Sequence, residues 1–253
     1  MAVRFGPENS QIMKLIVFDL DGTLVKTNAV DEICFRQAFA DSVGLPELDS
    51  NWLKYAHPTD SGITRQFFME AFGREPEAEE IKKIVDRFLE LLNEQHTIDP
   101  AQFDQVPGAA SLLSSLEGNS KWGTAMATGC WRRSAAFKIQ VSGLPLDGLP
   151  MAWAEDGPSR EAIVRTAIAR AAAWYQQSEF EKIVSVGDGL WDIRTAHRLN
   201  LPFLGVGEGW RAKLLRENGA SHVIEDFLDA SRFLHYLEEA RIPAWRESVK
   251  EAG

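Results

Sequence analysis

Residues 12–24 constrain the fold of this chain more than any other stretch. Residues 15–18 form an apolar, partly β-branched run, which is typical of a strand buried on both faces of a parallel sheet. Two carboxylates, Asp19 and Asp21, follow where this strand should end, and Gly22 then allows a sharp turn. Because burying an unpaired carboxylate costs free energy, we expect the two acids to face a crevice, a cation or each other.

The end of this strand is therefore a candidate functional site. In an open parallel sheet, the crevice that binds ligands lies outside the carboxyl ends of the strands. Two carboxylates at that place suit an oxygen-seeking cation such as Mg²⁺. They also suit divided roles in catalysis, with one acid as nucleophile and the other as proton donor. The alternative is an Asp-Gly turn that only ends a strand.

Composition limits the class of protein. The chain has 253 residues, 45% of them hydrophobic, which is enough for one large or two modest domains. A net charge of -10 argues against binding to nucleic acids or anionic membranes. The two cysteines, Cys34 and Cys130, are too few for a disulfide framework or a zinc site, so we expect a reducing, cytoplasmic location. We see no membrane span, and we expect residues 1–11 to be a loose extension rather than a signal peptide.

A helical insertion is predicted after the first strand. About a hundred residues separate that strand from the next strand candidate, whereas a crossover connection needs only about a dozen. Helical periodicity appears over residues 29–43, 64–72 and 79–92, with Gly44 and Pro46 ending the first of these helices. We therefore predict a helical cap domain over residues 26–104, and a core domain formed by residues 1–25 and 105–253.

The rest of the chain alternates between strands and helices. This alternation predicts a doubly wound parallel α/β sheet of the Rossmann-like type. The predicted strands are residues 121–128, 149–154, 182–186, 202–206 and 223–224, and the predicted helices are residues 107–116, 131–141, 159–174, 190–199, 212–218 and 228–240.

Polar residues also follow two of the later strands. Thr128 and Gly129 end the second strand, where a hydroxyl and backbone N–H groups at a helix start can hold a phosphoryl oxygen. Asp188 follows the buried strand over residues 182–186, and Asp192 lies one helical turn further on the same side. The alternative is that these residues only cap the helices that they precede.

Arg160 is the basic residue at the start of the helix before Asp188. An arginine at a helix start is unfavourable with the helix dipole, which indicates a specific partner. Its planar fork can hold a phosphoryl oxygen and a carboxylate. The alternative is that Ser159 caps the helix and that Arg160 is solvated.

Residues 19–23, Asp-Leu-Asp-Gly-Thr, resemble the first motif of the haloacid dehalogenase-like superfamily, in its phosphatase branch. Thr128 matches the second motif, and the pair Asp188 and Asp192 matches the fourth. Arg160 stands where the family has a lysine or arginine as its third motif. The four motifs occur in the order expected for the family, and the resemblance covers roughly residues 12–225. The helical insertion is similar to the small cap of phosphoglycolate phosphatase-like members.

The resemblance implies roles for these residues. Asp19 would be the nucleophile that becomes an aspartyl-phosphate. Asp21 would be the general acid and base, so we expect its surroundings to raise its pKa. Mg²⁺ would be held by a carboxylate oxygen of Asp19, by the carbonyl oxygen of Asp21 and by Asp188, with Asp192 in support. The phosphoryl oxygens would be bound by Thr128, Gly129 and Arg160.

The predicted function is a Mg²⁺-dependent phosphatase acting on a small phosphorylated metabolite. Alternatives are a phosphomutase acting on a sugar phosphate, phosphonate cleavage through a cap lysine, and a non-catalytic phosphate-binding or regulatory protein. Substrate specificity is expected in the cap and in the loops that face it. The candidates are Lys26, Thr27, Asn28, residues 57–61, Cys130, Trp131 and Arg132, although each of these has a structural explanation as well.

Overall fold

A six-stranded, fully parallel sheet organises the molecule. The computed structural model describes residues 12–44 and 48–245; the predicted extension over residues 1–11 and the helix stop at Pro46 lie outside this range. The strands are β1 (Lys14–Phe18), β2 (Trp122–Ala127), β3 (Met151–Ala152), β4 (Ile183–Gly187), β5 (Phe203–Val206) and β6 (His222–Ile224). Their order across the sheet is β3-β2-β1-β4-β5-β6, so the predicted doubly wound α/β class is confirmed.

Helices connect the strands. They are α1 (Asn28–Val43), α2 (Asp60–Phe72), α3 (Ala78–Ile98), α4 (Ala109–Leu116), α5 (Arg132–Ser142), α6 (Arg160–Trp174), α7 (Leu190–Leu199), α8 (Gly209–Glu217) and α9 (Ala230–Glu239), with short 3₁₀ turns at Trp52–Lys54, Pro100–Phe103 and Ala154–Asp156. Of these helices, none is long and apolar enough to cross a bilayer.

Strand β1 lies at the centre of the sheet, and its side chains alternate between two buried layers. Ile16 and Phe18 pack on one face, where Phe18 contacts the rings of Phe227 and Phe233. Leu15 and Val17 pack on the other face, against α6. Because both faces are covered, the strand reads as a continuous apolar run, as the sequence predicted.

The chain between β1 and α4 is helical in its described part. Its helices α1, α2 and α3 share a hydrophobic cluster of their own, which is rich in phenylalanine and includes Phe35, Phe68 and Phe88. Trp131, at the start of α5, also packs into this cluster. This arrangement agrees with a helical insertion between β1 and β2, while the exact limits of a cap domain over residues 26–104 stay a prediction.

Several elements differ in length from the predicted ones. Helix α2 begins at Asp60 instead of Thr64, because the Thr59 side chain caps it by accepting a hydrogen bond from Gly62 N at 3.0 Å. Strand β3 is limited to two paired residues, since the chain enters a 3₁₀ turn at Ala154. Helix α8 begins three residues before the predicted residue 212.

Candidate active site

The residues singled out in the sequence come together at the carboxyl ends of the central strands. Asp19 follows β1, Thr128 follows β2 and Asp188 follows β4, and these three strands are neighbours in the sheet. Arg160, the first residue of α6, reaches the same place. Asp19, Asp21, Thr128, Gly129 and Arg160 line a cavity of about 180 Å³, which is closed on its far side by residues of α1 and α2.

Arg160 joins two of the carboxylates. Its Nη2 atom donates hydrogen bonds to Asp19 Oδ1 at 2.8 Å and to Asp192 Oδ1 at 2.7 Å. All three side chains are almost fully buried. Ser159 does cap α6, by accepting a hydrogen bond from Ala162 N, but Arg160 points into the site and not into solvent. A single guanidinium thus links the first and fourth motifs.

Asp188 lies beside this pair. Its Oδ2 atom accepts hydrogen bonds from Asn28 Nδ2 at 2.7 Å and from Arg211 Nη1. Its Oδ1 atom is buried and has no hydrogen-bond partner. A buried oxygen without a partner costs free energy unless a ligand satisfies it. This atom is therefore available to a ligand of the protein.

Three buried carboxylates, those of Asp19, Asp188 and Asp192, can offer oxygen atoms within 4.8 Å of one another. Oxygen ligands of this charge and number are the ligands that Mg²⁺ takes from proteins. Together with the orphaned oxygen of Asp188, they show that the residues present fit a divalent cation. Asp21, the other predicted ligand, does not place its side chain in this cluster; the predicted contact was through its carbonyl oxygen.

The crowding of these acids changes their titration. Burial and the charge of Asp192 raise the pKa of Asp19 well above its usual value, although Arg160 opposes the shift. Burial and Asp192 also raise the pKa of Asp188, to about 7, against the effect of Arg211. A cation bound among these carboxylates would favour their charged forms and so oppose the upward pKa shifts.

Gly22 allows the turn after β1 to pass close to the cluster. Its φ is +73°, in the left-handed region that favours glycine. A Cβ atom built on it would lie 2.1 Å from Asp188 Oδ2 and 2.2 Å from Asn28 Nδ2. The turn therefore needs glycine both for its backbone conformation and for space.

Asp21 belongs to a second polar group. Its Oδ1 atom accepts hydrogen bonds from Thr27 Oγ1 and from Lys138 Nζ, the latter at 2.7 Å. Its Oδ2 atom accepts a hydrogen bond from Cys130 Sγ at 2.8 Å. Burial alone would raise the pKa of Asp21, but the charge of Lys138 and these three donors lower it below its usual value. The expectation of a raised pKa for Asp21 is therefore wrong.

Thr128 and Gly129 lie between the two polar groups. Thr128 is buried, and its Oγ1 atom accepts a hydrogen bond from Cys130 N at 3.2 Å. A Cβ atom on Gly129 would lie 2.5 Å from Arg160 Nη1, so glycine leaves the room that the guanidinium occupies. The turn after β2 thus brings Gly129 beside Arg160, and Thr128 lines the same cavity; their role in phosphate binding stays a prediction.

The predicted specificity residues divide into two groups. Thr27, Asn28 and Cys130 contact the acids of the site. Of residues 57–61, the cavity wall includes Pro58, Thr59 and Asp60, whereas His57 is exposed and Ser61 accepts a hydrogen bond from Trp131 Nε1. Lys26 and Arg132 are exposed, and Trp131 packs in the helical cluster, so for Trp131 the structural explanation holds.

Sequence reasoning missed three charged residues of the site: Asp31, Lys138 and Arg211. Lys138 had a weak signal, because it falls on the buried face of the predicted helix that follows Thr128. Asp31, in the first turn of α1, and Arg211, in the first turn of α8, looked like ordinary charges on solvated helices. Their contacts with the site come only from the tertiary fold.

Solved structures with the same fold cover nearly the whole chain. A hydrolase from Pseudomonas syringae matches with a TM-score of 0.65 and 20% identity, over 90% of this chain and 99% of that chain. CbbY from Rhodobacter sphaeroides, in complex with phosphate, gives 0.61 and 19% over 86% and 96%. A predicted phosphoglycolate phosphatase from Haemophilus somnus 129pt gives 0.58 and 19% over 88% and 98%.

The sequence comparisons give the family. Comparison with curated protein sequences finds no significant match. The family model for haloacid dehalogenase-like hydrolases matches residues 13–200, a span that includes all four motifs and the helical insertion. The chain therefore belongs to the haloacid dehalogenase-like hydrolase family.

Proposed function

We propose that this protein is a Mg²⁺-dependent phosphatase that hydrolyses a small phosphomonoester through an aspartyl-phosphate at Asp19. The observation that carries the proposal is the arrangement of two acids at one cavity: Asp19 is held by Arg160 beside Asp188 and Asp192, while Asp21 lines the same cavity from a separate polar group. In family members that cleave carbon–halogen bonds, the second acid of the first motif is absent. Asp21 therefore favours phosphoryl chemistry.

Asp19 is suited to attack phosphorus. Arg160 keeps one oxygen of its carboxylate in a fixed direction at the cavity, and the same guanidinium can bind an oxygen of the phosphoryl group. Thr128 and Gly129 line the same cavity, which supports their assignment to the other phosphoryl oxygens. Fixing the phosphoryl group beside the nucleophile lowers the barrier mainly through orientation and electrostatics.

Asp21 would donate a proton to the leaving oxygen and then take one from the attacking water. The pKa of Asp21 is lowered, because the charge of Lys138 and the donors around the carboxylate outweigh the effect of burial. The negative charge of an arriving phosphomonoester favours the protonated carboxyl group, since like charges raise the pKa of an acid. Substrate binding is thus expected to favour the protonated form of Asp21, which the first step needs.

The residues that would hold Mg²⁺ are Asp19 and Asp188, with the carbonyl oxygen of Asp21, and with Asp192 in support. When bound, the cation offsets the charge of the phosphoryl oxygens and allows the anionic nucleophile and substrate to meet. The buried carboxylates and the partnerless oxygen of Asp188 support this assignment.

The substrate is expected to be small. The cavity is about 180 Å³, and its wall includes the aromatic rings of Phe35 and Trp52 and the acidic side chains of Glu32 and Asp60. Burial raises the pKa of Asp60 well above its usual value, so Glu32 is the acid that would repel an anionic leaving group. Such a wall suits a leaving group that is neutral or cationic better than one that carries its own carboxylate.

The cellular location of the protein stays a prediction: two buried cysteines that form no disulfide support a reducing, cytoplasmic environment.

The test is release of inorganic phosphate from a panel of sugar phosphates, phosphoglycolate, nucleotides and p-nitrophenyl phosphate, with Mg²⁺ or with a chelator. We expect release that requires Mg²⁺ and is lost in Asp19→Asn. Movement of phosphate within a sugar phosphate, without net release, would identify a phosphomutase instead. No reaction with any substrate by a folded protein would contradict the phosphatase proposal and favour a binding role.

A further inference from the structure

Lys138 is a fully buried lysine next to the site, and the proposed mechanism does not use it. Its side chain has 0% exposure and lies in α5, on the face of that helix that packs into the protein. Its Nζ atom donates hydrogen bonds to Asp21 Oδ1 at 2.7 Å and to Asp31 Oδ1, and lies 3.2 Å from Cys130 Sγ. Burying an ammonium group is costly, so an ion pair of this kind needs a reason beyond stability.

The contacts of Lys138 help to fix both oxygens of the Asp21 carboxylate. Lys138 and Thr27 bind Oδ1, and Cys130 binds Oδ2. The three donors come from α5, from the residue before α1 and from the turn after β2, so Asp21 is held from three separate segments. A carboxylate held in this way has little freedom to rotate, and its orientation toward the cavity is set before any ligand arrives.

Lys138 also connects the site to the inserted helices. Asp31 lies in the first turn of α1, whereas Lys138 belongs to the segment that follows β2. One ammonium group therefore ties the acid of the first motif to the helix that begins the insertion. A purely structural ion pair would need only Asp31; the second contact of the same ammonium group, to Asp21, places its charge at the reacting group.

We propose that Lys138 is a positioning residue for Asp21: its buried ammonium group, anchored on Asp31, holds the carboxyl group of Asp21 where it meets the leaving oxygen of the substrate. This inference rests on the proposed phosphatase function. It predicts a specific defect. Loss of Lys138 should slow the reaction of esters whose leaving group needs a proton, and should spare esters whose leaving group does not.

The decisive variant is the double substitution Lys138→Met with Asp31→Asn. Methionine keeps the length of the side chain, and removing one acid together with the lysine keeps the net charge of the buried group unchanged. This avoids leaving two buried carboxylates without a counter-ion, which would destabilise the single variant Lys138→Met. Asp31→Asn alone separates the effect of the anchor, and Lys213→Met, at an exposed position in α8, is the control for an unrelated lysine.

The probes are p-nitrophenyl phosphate, whose leaving group is stable as an anion, and phenyl phosphate, whose leaving group depends more on proton transfer. For the double variant we expect kcat/KM, which reports the step that expels the leaving group, to fall by about 100-fold for phenyl phosphate and to stay within about threefold of wild type for p-nitrophenyl phosphate. Hydrolysis of the aspartyl-phosphate is the same for both esters, so a slower second step would lower kcat for both alike. Asp21→Asn should show the same contrast between the two esters, because it removes the group that Lys138 positions.

Three outcomes would overturn the inference. Equal losses of kcat/KM on both esters, or a change in KM alone, would show that Lys138 acts on the whole site and not through Asp21. Unchanged kinetics would show that Asp21 needs no anchor. Failure of the charge-balanced variant to fold would limit Lys138 to stability. Wild-type protein that hydrolyses neither ester would contradict the phosphatase function itself, which distinguishes that failure from the other three.

Discussion

Replacing Arg160 by methionine removes the cation that joins two halves of the site. The guanidinium bonds to Asp19 and Asp192, and these two acids can place oxygens within 4.8 Å of Asp188. Without Arg160, three buried carboxylates stand together with no positive charge between Asp19 and Asp192. We therefore expect both stability and activity to fall, and the loss of stability to depend on pH.

The structure allows the size of the effect to be worked out. Removing one partner of a buried ion pair costs about 3–5 kcal/mol, which for a chain of this length lowers Tm by roughly 6–20 °C. Arg160 opposes the upward shift of the Asp19 pKa, so its removal raises that pKa further. The carboxyl group then escapes the penalty by binding a proton, and the loss should be larger near about pH 8 than near about pH 5. Loss of a donor to the phosphoryl group should lower kcat/KM by about 100- to 1000-fold.

The assay combines thermal unfolding at both pH values with phosphate release from p-nitrophenyl phosphate. Arg165→Met is the matched control, because Arg165 is an exposed arginine of the same helix, α6. Arg160→Lys should retain part of the activity, since one charge remains while the fork that reaches both acids is lost. If Arg160→Met behaved like Arg165→Met in both measurements, Arg160 would have no role in holding Asp19 and the reasoning would be refuted.

Three further predictions concern the cation and the substrate. The pKa of Asp188 is raised to about 7 in the folded protein. Protonated Asp188 therefore stabilises the fold in full at pH values below the pKa that this group has in the unfolded chain, and this stabilisation is lost as pH rises through 7. Saturating Mg²⁺ should therefore raise Tm more near about pH 8 than near about pH 5, and the shift at the higher pH should be roughly 5–10 °C when Mg²⁺ is at 100 times its Kd. Asp188→Asn should abolish the difference between the two pH values. An equal shift of Tm at both pH values in the wild type would contradict this prediction. Gly22→Ala should weaken Mg²⁺ binding in calorimetry, since its Cβ atom would lie 2.1 Å from Asp188 Oδ2; unchanged affinity would show that the turn adapts. Phosphoglycolate should have a lower kcat/KM than a neutral sugar phosphate, because the acidic side chain of Glu32 lines the cavity, and this difference between the two substrates should narrow in Glu32→Gln; a preference for phosphoglycolate in the wild type would contradict this assignment of the cavity wall.

The fold was predictable because its signals are local. The apolar run of β1 and the regular alternation of strands and helices after residue 105 define a parallel sheet, and the solved order β3-β2-β1-β4-β5-β6 agrees. The predicted bounds were wrong at the ends of some elements, where a single capping side chain can determine the residue at which a helix begins. Thr59 begins α2 four residues before the predicted start, because its hydroxyl satisfies the free N–H of Gly62.

The site was predictable only in the part that lies at strand ends. Asp19, Thr128 and Asp188 follow buried strands, so a parallel sheet brings them together. The contact of Lys138 with Asp21 was not predictable: the position of Lys138 on the buried face of its helix is a weak signal, and Asp21 lies 117 positions away in the sequence. The same contact explains the wrong expectation for the pKa of Asp21: burial was foreseen, but the buried ammonium group was not.

The central claim is that Asp19 accepts the phosphoryl group. Cleavage after Lys14 and Lys26 gives a short peptide that contains both acids of the first motif. Borohydride reduces an acyl phosphate, so protein quenched during turnover with Mg²⁺ and then reduced should carry homoserine in place of Asp19, as fragmentation in the mass spectrometer would show. Modification that requires substrate, occurs at Asp19 and is absent in Asp19→Asn is the predicted result. An unmodified peptide from protein that is turning over substrate, or modification at Asp21, would contradict the account.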